Sequence, residues 1–181
     1  MQVPSRQPET HLSCSCRTCQ SWSTGEHALS DAAWSTDEKV ALITLSGSLQ
    51  IAVLHFVGGA PSLLAHLLPL ELPGIEQSRC TSISSVAFDS DSGRLAVACT
   101  TAGGDGLPAE HAVCVFAVQS SPVFQARMLG RVLPPPDRLA AGASQAGVAF
   151  RPRAAGRAEQ QVGPCALAVS WPNGAVSLAA V

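Results

Sequence analysis

Three stretches of this chain follow one short script, and no other feature limits its possible folds as strongly. Around Trp34 it reads Ala-Ala-Trp-Ser-Thr-Asp-Glu-Lys-Val-Ala-Leu-Ile-Thr, then Ser46-Gly47-Ser48 and a second apolar run from Leu49 to Phe56. Around Phe88 it reads Val-Ala-Phe-Asp-Ser-Asp-Ser-Gly-Arg-Leu-Ala-Val-Ala-Cys, followed by a run from Ala112 to Val118. Around Phe150 it reads Val-Ala-Phe-Arg-Pro, then Cys165 to Ser170, a Trp171-Pro172-Asn173-Gly174 turn, and Ala175 to Val181. Trp34, Phe88 and Phe150 stand 54 and 62 residues apart, the spacing of four short strands with variable loops.

The apolar runs are five to nine residues long and rich in Val and Ile, which suits strands and is too short for stable helices. Ser-Gly and Asp-Ser-Gly between runs supply the backbone freedom of hairpin turns. The expected strands are Ala28–Trp34, Val40–Leu45, Leu49–Phe56 and Leu63–Leu70, then Ile83–Asp89, Arg94–Thr100, Ala112–Val118 and Phe124–Val132. A third group follows at Gln145–Arg151, Pro164–Ser170 and Ala175–Val181. Leu63–Leu70 would also suit a helical turn. Thr101–Glu110, with Gly103, Gly104 and Gly106, is an exposed loop, and Pro134-Pro135-Pro136 a stiff connector. Residues 1–26, rich in Ser, Thr, Gln, Pro and Cys, read as a flexible tail.

A four-stranded antiparallel unit cannot bury both faces alone, and stacking units around an axis supplies the missing burial. The expected fold is therefore all-β, a partial β-propeller of about three blades at residues 27–82, 83–136 and 137–181, the last incomplete. Trp34, Phe88 and Phe150 are its expected equivalent anchors, each against a neighbouring blade. A sandwich or open barrel of the same strands is the alternative. The aromatic-x-x-Asp…Gly-x-Leu-Ala-Val-Ala script resembles the WD40-like propeller superfamily. It departs from that family in lacking the blade-opening Gly-His and the Trp-Asp pair, with Phe116-Ala117 in the latter's place. Such a chain falls short of a closed ring of four to eight blades. It is expected to be a fragment, a truncated gene product, or part of a ring completed by another chain.

Composition narrows the class further. Only 13% of residues are charged and net charge is −2, so no global field attracts nucleic acid or acidic membrane. Arginines nonetheless gather between 127 and 157, and Arg127, Arg131, Arg151 and Arg153 are the candidate partner-binding residues. Without interleaved aromatics, base stacking is not expected there. Val40–Leu70 carries no Asp, Glu, Lys or Arg and is long enough to span a bilayer. Ser46, Gly47, Ser48, Gly58, Gly59 and Pro61 break it, and two strands account for it better than a membrane helix. Seven cysteines without an apolar export segment point to a reducing compartment.

Catalytic patterns are missing: no Gly-x-Ser-x-Gly elbow occurs, and none of the five histidines stands at motif spacing from a carboxylate. His11, Cys14, Cys16 and Cys19 could offer zinc a tetrahedral set, but no second ligand couplet follows. The reading is a non-enzymatic interaction scaffold without cofactor, whose partners are other protein subunits of a multisubunit complex. Neither a small-molecule substrate, nor direct nucleic-acid contact, nor a membrane is expected. A metal-binding or redox module through the cysteine cluster, or a WD40-like adaptor in another complex, are the alternatives. From Leu42 to Val132, the Leu-Ser-Gly-Ser turn, Ser-Val-Ala-Phe, Leu-Ala-Val-Ala and Val-Cys-Val-Phe resemble the N-terminal propeller of the Mediator tail subunit Med-sixteen. That resemblance implies RNA polymerase II transcription regulation in the nucleus, with the cytoplasm as alternative, and transfers no site residue.

Overall fold

The computed structural model describes residues 28–57, 60–61, 66–69, 80–91, 93–101, 110–120, 123–135, 145–151 and 165–181. These residues contain strands and no helix. The strands are β1 (Leu29–Trp34), β2 (Val40–Leu45), β3 (Gln50–Val57), β4 (Ala60–Pro61), β5 (His66–Pro69) and β6 (Cys80–Phe88). They continue as β7 (Arg94–Thr101), β8 (Glu110–Gln119), β9 (Gln125–Val132), β10 (Gly147–Phe150), β11 (Ala166–Ser170) and β12 (Val176–Ala180).

All pairings are antiparallel, and all but β3 with β5 join chain neighbours, as short hairpin turns require. The first sheet runs β1-β2-β3, with β4 and β5 both pairing onto β3; the second runs β6-β7-β8-β9 and the third β10-β11-β12. The strand expected at Leu63–Leu70 is found as β5, His66–Pro69, and a two-residue piece, β4, precedes it; each ends in a proline. Proline lacks the N–H that a continuous ladder needs and is confined to such edges. The remaining strands lie within three residues of their expected bounds.

The register makes the repeat concrete. The aromatic that closes each first strand pairs with the second residue of the next strand: Trp34 with Ala41, Phe88 with Leu95, Phe150 with Leu167. Turn chemistry repeats as well. The Asp37 carboxylate accepts Ser35 Oγ at 2.7 Å and the Lys39 N–H at 3.2 Å, and Asp89 Oδ1 accepts the Arg94 N–H at 3.0 Å. The Ser35 hydroxyl, with the Lys39 N–H second, holds the Asp37 carboxyl below its ordinary range. Gly47 and Gly174 take left-handed φ of 69° and 78° in turns closed by Ser48 N–H to Leu45 C=O and Gly174 N–H to Trp171 C=O.

Side chains on β7 alternate between two separate cores. Leu95, Val97 and Cys99 face the first sheet, where they meet Val40, Leu42, Ile51 and Val53 together with Phe116 of β8. Ala96 and Ala98 face the third sheet, where Leu167, Val169 and Trp171 cover them. All five of these β7 residues are fully buried. The large residues fill one gap, and the alanines let the bulkier third-sheet residues approach on the other. Each fully buried Leu or Val contributes about 1.5–3 kcal/mol relative to exposure. A strand buried on both faces reads as a continuous apolar run rather than an alternation, which is why Leu95–Cys99 has no polar residue.

First strands lie side by side, β6 between β1 and β10. Polar groups tie them. Asp31 Oδ2 accepts Ser85 Oγ and the Val86 N–H, both at 2.9 Å, across the gap from first to second sheet. Ser30 Oγ donates to the Ile83 carbonyl at 3.1 Å. From second to third sheet, Ser84 Oγ donates to the Ala146 carbonyl at 2.9 Å. The fold is thus a partial propeller of about three blades, with first strands innermost.

The Asp31 carboxylate links the first and second sheets through these two hydrogen bonds. Asp31→Ala removes the acceptor and leaves the Val86 N–H without it, which costs about 1.5–3 kcal/mol. Urea unfolding should show a lowered midpoint, with Asp31→Asn retaining part of the loss; an unchanged midpoint for Asp31→Ala would refute the tie.

Candidate interaction surfaces

The outer edge of the second sheet is β9, which pairs only with β8 among the described residues. Exposed and shielded residues alternate along it: Gln125, Arg127, Leu129 and Arg131 are open. An even spacing of four would put Arg127 and Arg131 on one face of a regular strand. The structure separates them. Arg127 pairs with Ala117 and Met128 with Phe116, but Gly130 pairs with Val115, so Leu129 is a bulge. Beyond it Arg131 pairs with Cys114, on the face toward the first sheet, while Arg127 shares the face of Ala117, toward the third. Arg151 lies elsewhere, immediately after β10, where its N–H bonds to the Ala166 carbonyl at 2.8 Å. Arg153 is outside the described residues, as are His11, Cys14, Cys16, Cys19 and the Gly103–Gly106 loop.

The two end faces of the stack are apolar. On the first sheet, Trp34 stands on the face turned away from the second, with Ala41 and Leu54 in its row and Ile43, Ala52 and Leu67 in the next. Trp34 remains 54% exposed and Leu67 58%. The expectation that all three aromatics contact a neighbouring blade therefore needs correction for Trp34. Phe88 packs into the core between first and second sheets, and Phe150 into that between second and third. Trp34 meets Phe56 of its own sheet, ring centroids 4.8 Å apart, because no described sheet lies on that side. On the third sheet, Ala149, Ala168 and Leu178 form the central row of the outward face, flanked by the Ser170–Val176 pair. Leu178 is 80% exposed and Val176 67%.

A shallow groove of about 580 Å³ lies at the turn end of the first two sheets. Thr36, Asp37, Ser90, Asp91, Gly93 and Gln119 contribute to its lining. Thr36 Oγ1 donates to the Asp89 carbonyl there, 3.3 Å away, joining the two turns. The groove offers carboxylates and hydroxyls but neither imidazole nor thiol, so it holds no nucleophile–base pair. Among the described residues no group of three or more His, Cys, Asp and Glu side chains is placed to hold a metal ion. Cys99 and Cys114 are buried and pack among apolar neighbours as small apolar residues do. Among those residues no helix is long and apolar enough to cross a membrane.

No family model matches the chain. The chain is similar to Aladin of Arabidopsis thaliana, 33% identical over 125 residues, an alignment covering 65% of this chain and 26% of Aladin. The chain thus spans about a quarter of the length of that relative. The stacked antiparallel sheets fit a WD40-like fold.

His111, on β8 opposite Thr100, is a titratable group within this framework; its Nδ1 lies 3.3 Å from Thr100 Oγ1. Burial lowers its pKa below the ordinary 6.5, because the charged imidazolium loses water. The unfolded chain then binds that proton more readily than the folded one. The stability it preserves is complete above about pH 6.5 and is lost as pH falls through the folded value. Thermal unfolding from pH 7.5 to 5.5 should show a falling Tm, with His111→Gln flattening part of the decline; identical slopes would contradict it.

Proposed function

We propose that the chain is a non-enzymatic protein-interaction scaffold, a propeller segment of the Aladin type that works within a nuclear multisubunit complex. The observation that carries this reading is the Aladin likeness over 125 residues on a fold of rigidly stacked sheets. A propeller needs no catalytic constellation to act, since binding groups sit on edges and loops held by a packed interior. The Mediator assignment gains no support from the comparison, which returns Aladin instead. The metal or redox alternative rests on His11, Cys14, Cys16 and Cys19, outside the described residues, and is not favoured.

Within this reading β9 is the contacting edge. A strand added to an open edge gains main-chain hydrogen bonds, and its side chains alternate between the two faces. Because the Leu129 bulge sends Arg127 and Arg131 to opposite faces, such a strand would meet a guanidinium on either side. An extended acidic segment of another subunit is the matching chemistry. Arg151, immediately after β10, belongs to the same proposal, as does Arg153 two positions further along the sequence.

Affinity capture from nuclear extract, with mass-spectrometric identification, tests the scaffold. The wild-type chain should recover a defined multisubunit assembly, and Arg127→Glu with Arg131→Glu should lower recovery at least tenfold without changing Tm. Equal recovery by the double variant would remove β9 from the interface. Failure of both proteins to recover any assembly would refute the scaffold reading.

A further inference from the structure

The outer edge of the second sheet has a register fixed by the strands behind it. The Val118 N–H bonds to the Gly93 carbonyl at 2.9 Å, so the main chain of Val118 turns toward β7. Main-chain groups alternate in direction along a strand, so Ala117 and Gln119 turn theirs toward β9. Their partners on β9, Arg127 and Gln125, therefore direct their N–H and C=O groups at β8. Those of Ala126 and Met128 point the other way, out of the sheet. The Leu129 bulge ends this period, because Val115 faces β9 as Ala117 does but pairs with Gly130 in place of residue 129.

The two faces of this short edge differ in chemistry. Ala126 and Met128, with Phe124 before them, pack against the core between first and second sheets. Arg127 stands on the other face and is exposed, and β9 holds two arginines but neither Asp nor Glu. A strand laid antiparallel along this stretch forms hydrogen-bonded pairs opposite Ala126 and Met128, where its side chains extend an apolar core. Opposite Arg127 the pair is non-hydrogen-bonded, with Cα atoms about 4.5 Å apart, a spacing that brings opposite charges side by side.

We propose that Ala126–Met128 accepts an antiparallel strand of a partner protein whose acidic residue, set between two apolar ones, lies directly opposite Arg127. The proposal rests on the reading of β9 as the contacting edge and adds the register, direction and side-chain pattern of the segment bound. Every described pairing of this fold is antiparallel, and that ladder is the more stable per residue, which matters over so few pairs. Arg131 stands past the bulge, on the opposite face, and flanks the N-terminal end of the bound strand.

The probe is a blocked, fluorophore-bearing peptide, Thr-Val-Glu-Val-Thr, whose binding to the full chain is followed by anisotropy. Wild type should bind it saturably, and Arg127→Glu should weaken binding about tenfold, with a much smaller effect of Arg131→Glu. A peptide with Lys in place of the Glu should reverse the preference and bind Arg127→Glu better than wild type. Backbone methylation tests the register without altering the protein. An N-methyl group on either Val removes an N–H that faces β9 and should weaken binding about tenfold. On the Glu it should be tolerated, since that N–H faces solvent. No binding to wild type, equal binding by Arg127→Glu, or loss on methylating the Glu with tolerance at both Val positions would each overturn the proposal. Affinity capture separates it from the reading beneath it. If the peptide fails while recovery of the assembly still depends on Arg127 and Arg131, the register is wrong and the contacting edge stands; if that dependence is also absent, both fall.

Discussion

Everything in this fold depends on the middle sheet being buried on both faces at once. β7 can serve that role because its five central residues are all apolar and are sorted by size. Leu95, Val97 and Cys99 fill the wider core with the first sheet, while Ala96 and Ala98 let Trp171 and its neighbours come close from the third. A one-residue slip of register would exchange the two sets and leave one gap overfilled and the other empty. The stack is thus fixed by a size code along one strand, and the flanking sheets take their places from it.

Polar contacts then set how the sheets are joined along their first strands. Asp31, Ser30 and Ser84 bridge neighbouring sheets there, in a region where backbone groups of β6 meet β1 and β10. The opposite edge is built differently: β9 is open, bulged and basic. Charge on an edge strand discourages promiscuous pairing, and Arg127 and Arg131 are exposed on this one. Inner strands bind the stack, and the outer strand β9 carries exposed charge.

Much of this architecture was legible in the chain. The turn residues and runs of Val and Ile located the hairpins, and the recurring aromatic identified positions that the register confirms as equivalent. Three things were not legible. Whether Trp34 would be covered depends on a neighbouring sheet, which no local pattern reports. The opposite placement of Arg127 and Arg131 depends on a bulge at Leu129, a cross-strand event invisible to single-strand alternation. Asp31 looks like an ordinary polar residue in a half-buried strand, and only the approach of β6 makes it a bridge. Its one sequence signal was a carboxylate three residues before the anchor aromatic in the midst of small residues. Ser85 and Gly147 occupy that place in the other repeats, so the repeat itself gave no reinforcement.

The most direct measurement of the two-sided core is native-state hydrogen exchange. Amides in the middle of β7 and β8 should open only on global unfolding, whereas those of β12, with one face uncovered, should exchange through smaller openings. Amides of Leu95–Cys99 should therefore be the slowest in the protein and follow the urea dependence of global unfolding. Exchange of Leu95–Cys99 as fast as that of Val176–Ala180 would contradict the account, because it would mean that the third sheet does not cover the alanine face of β7.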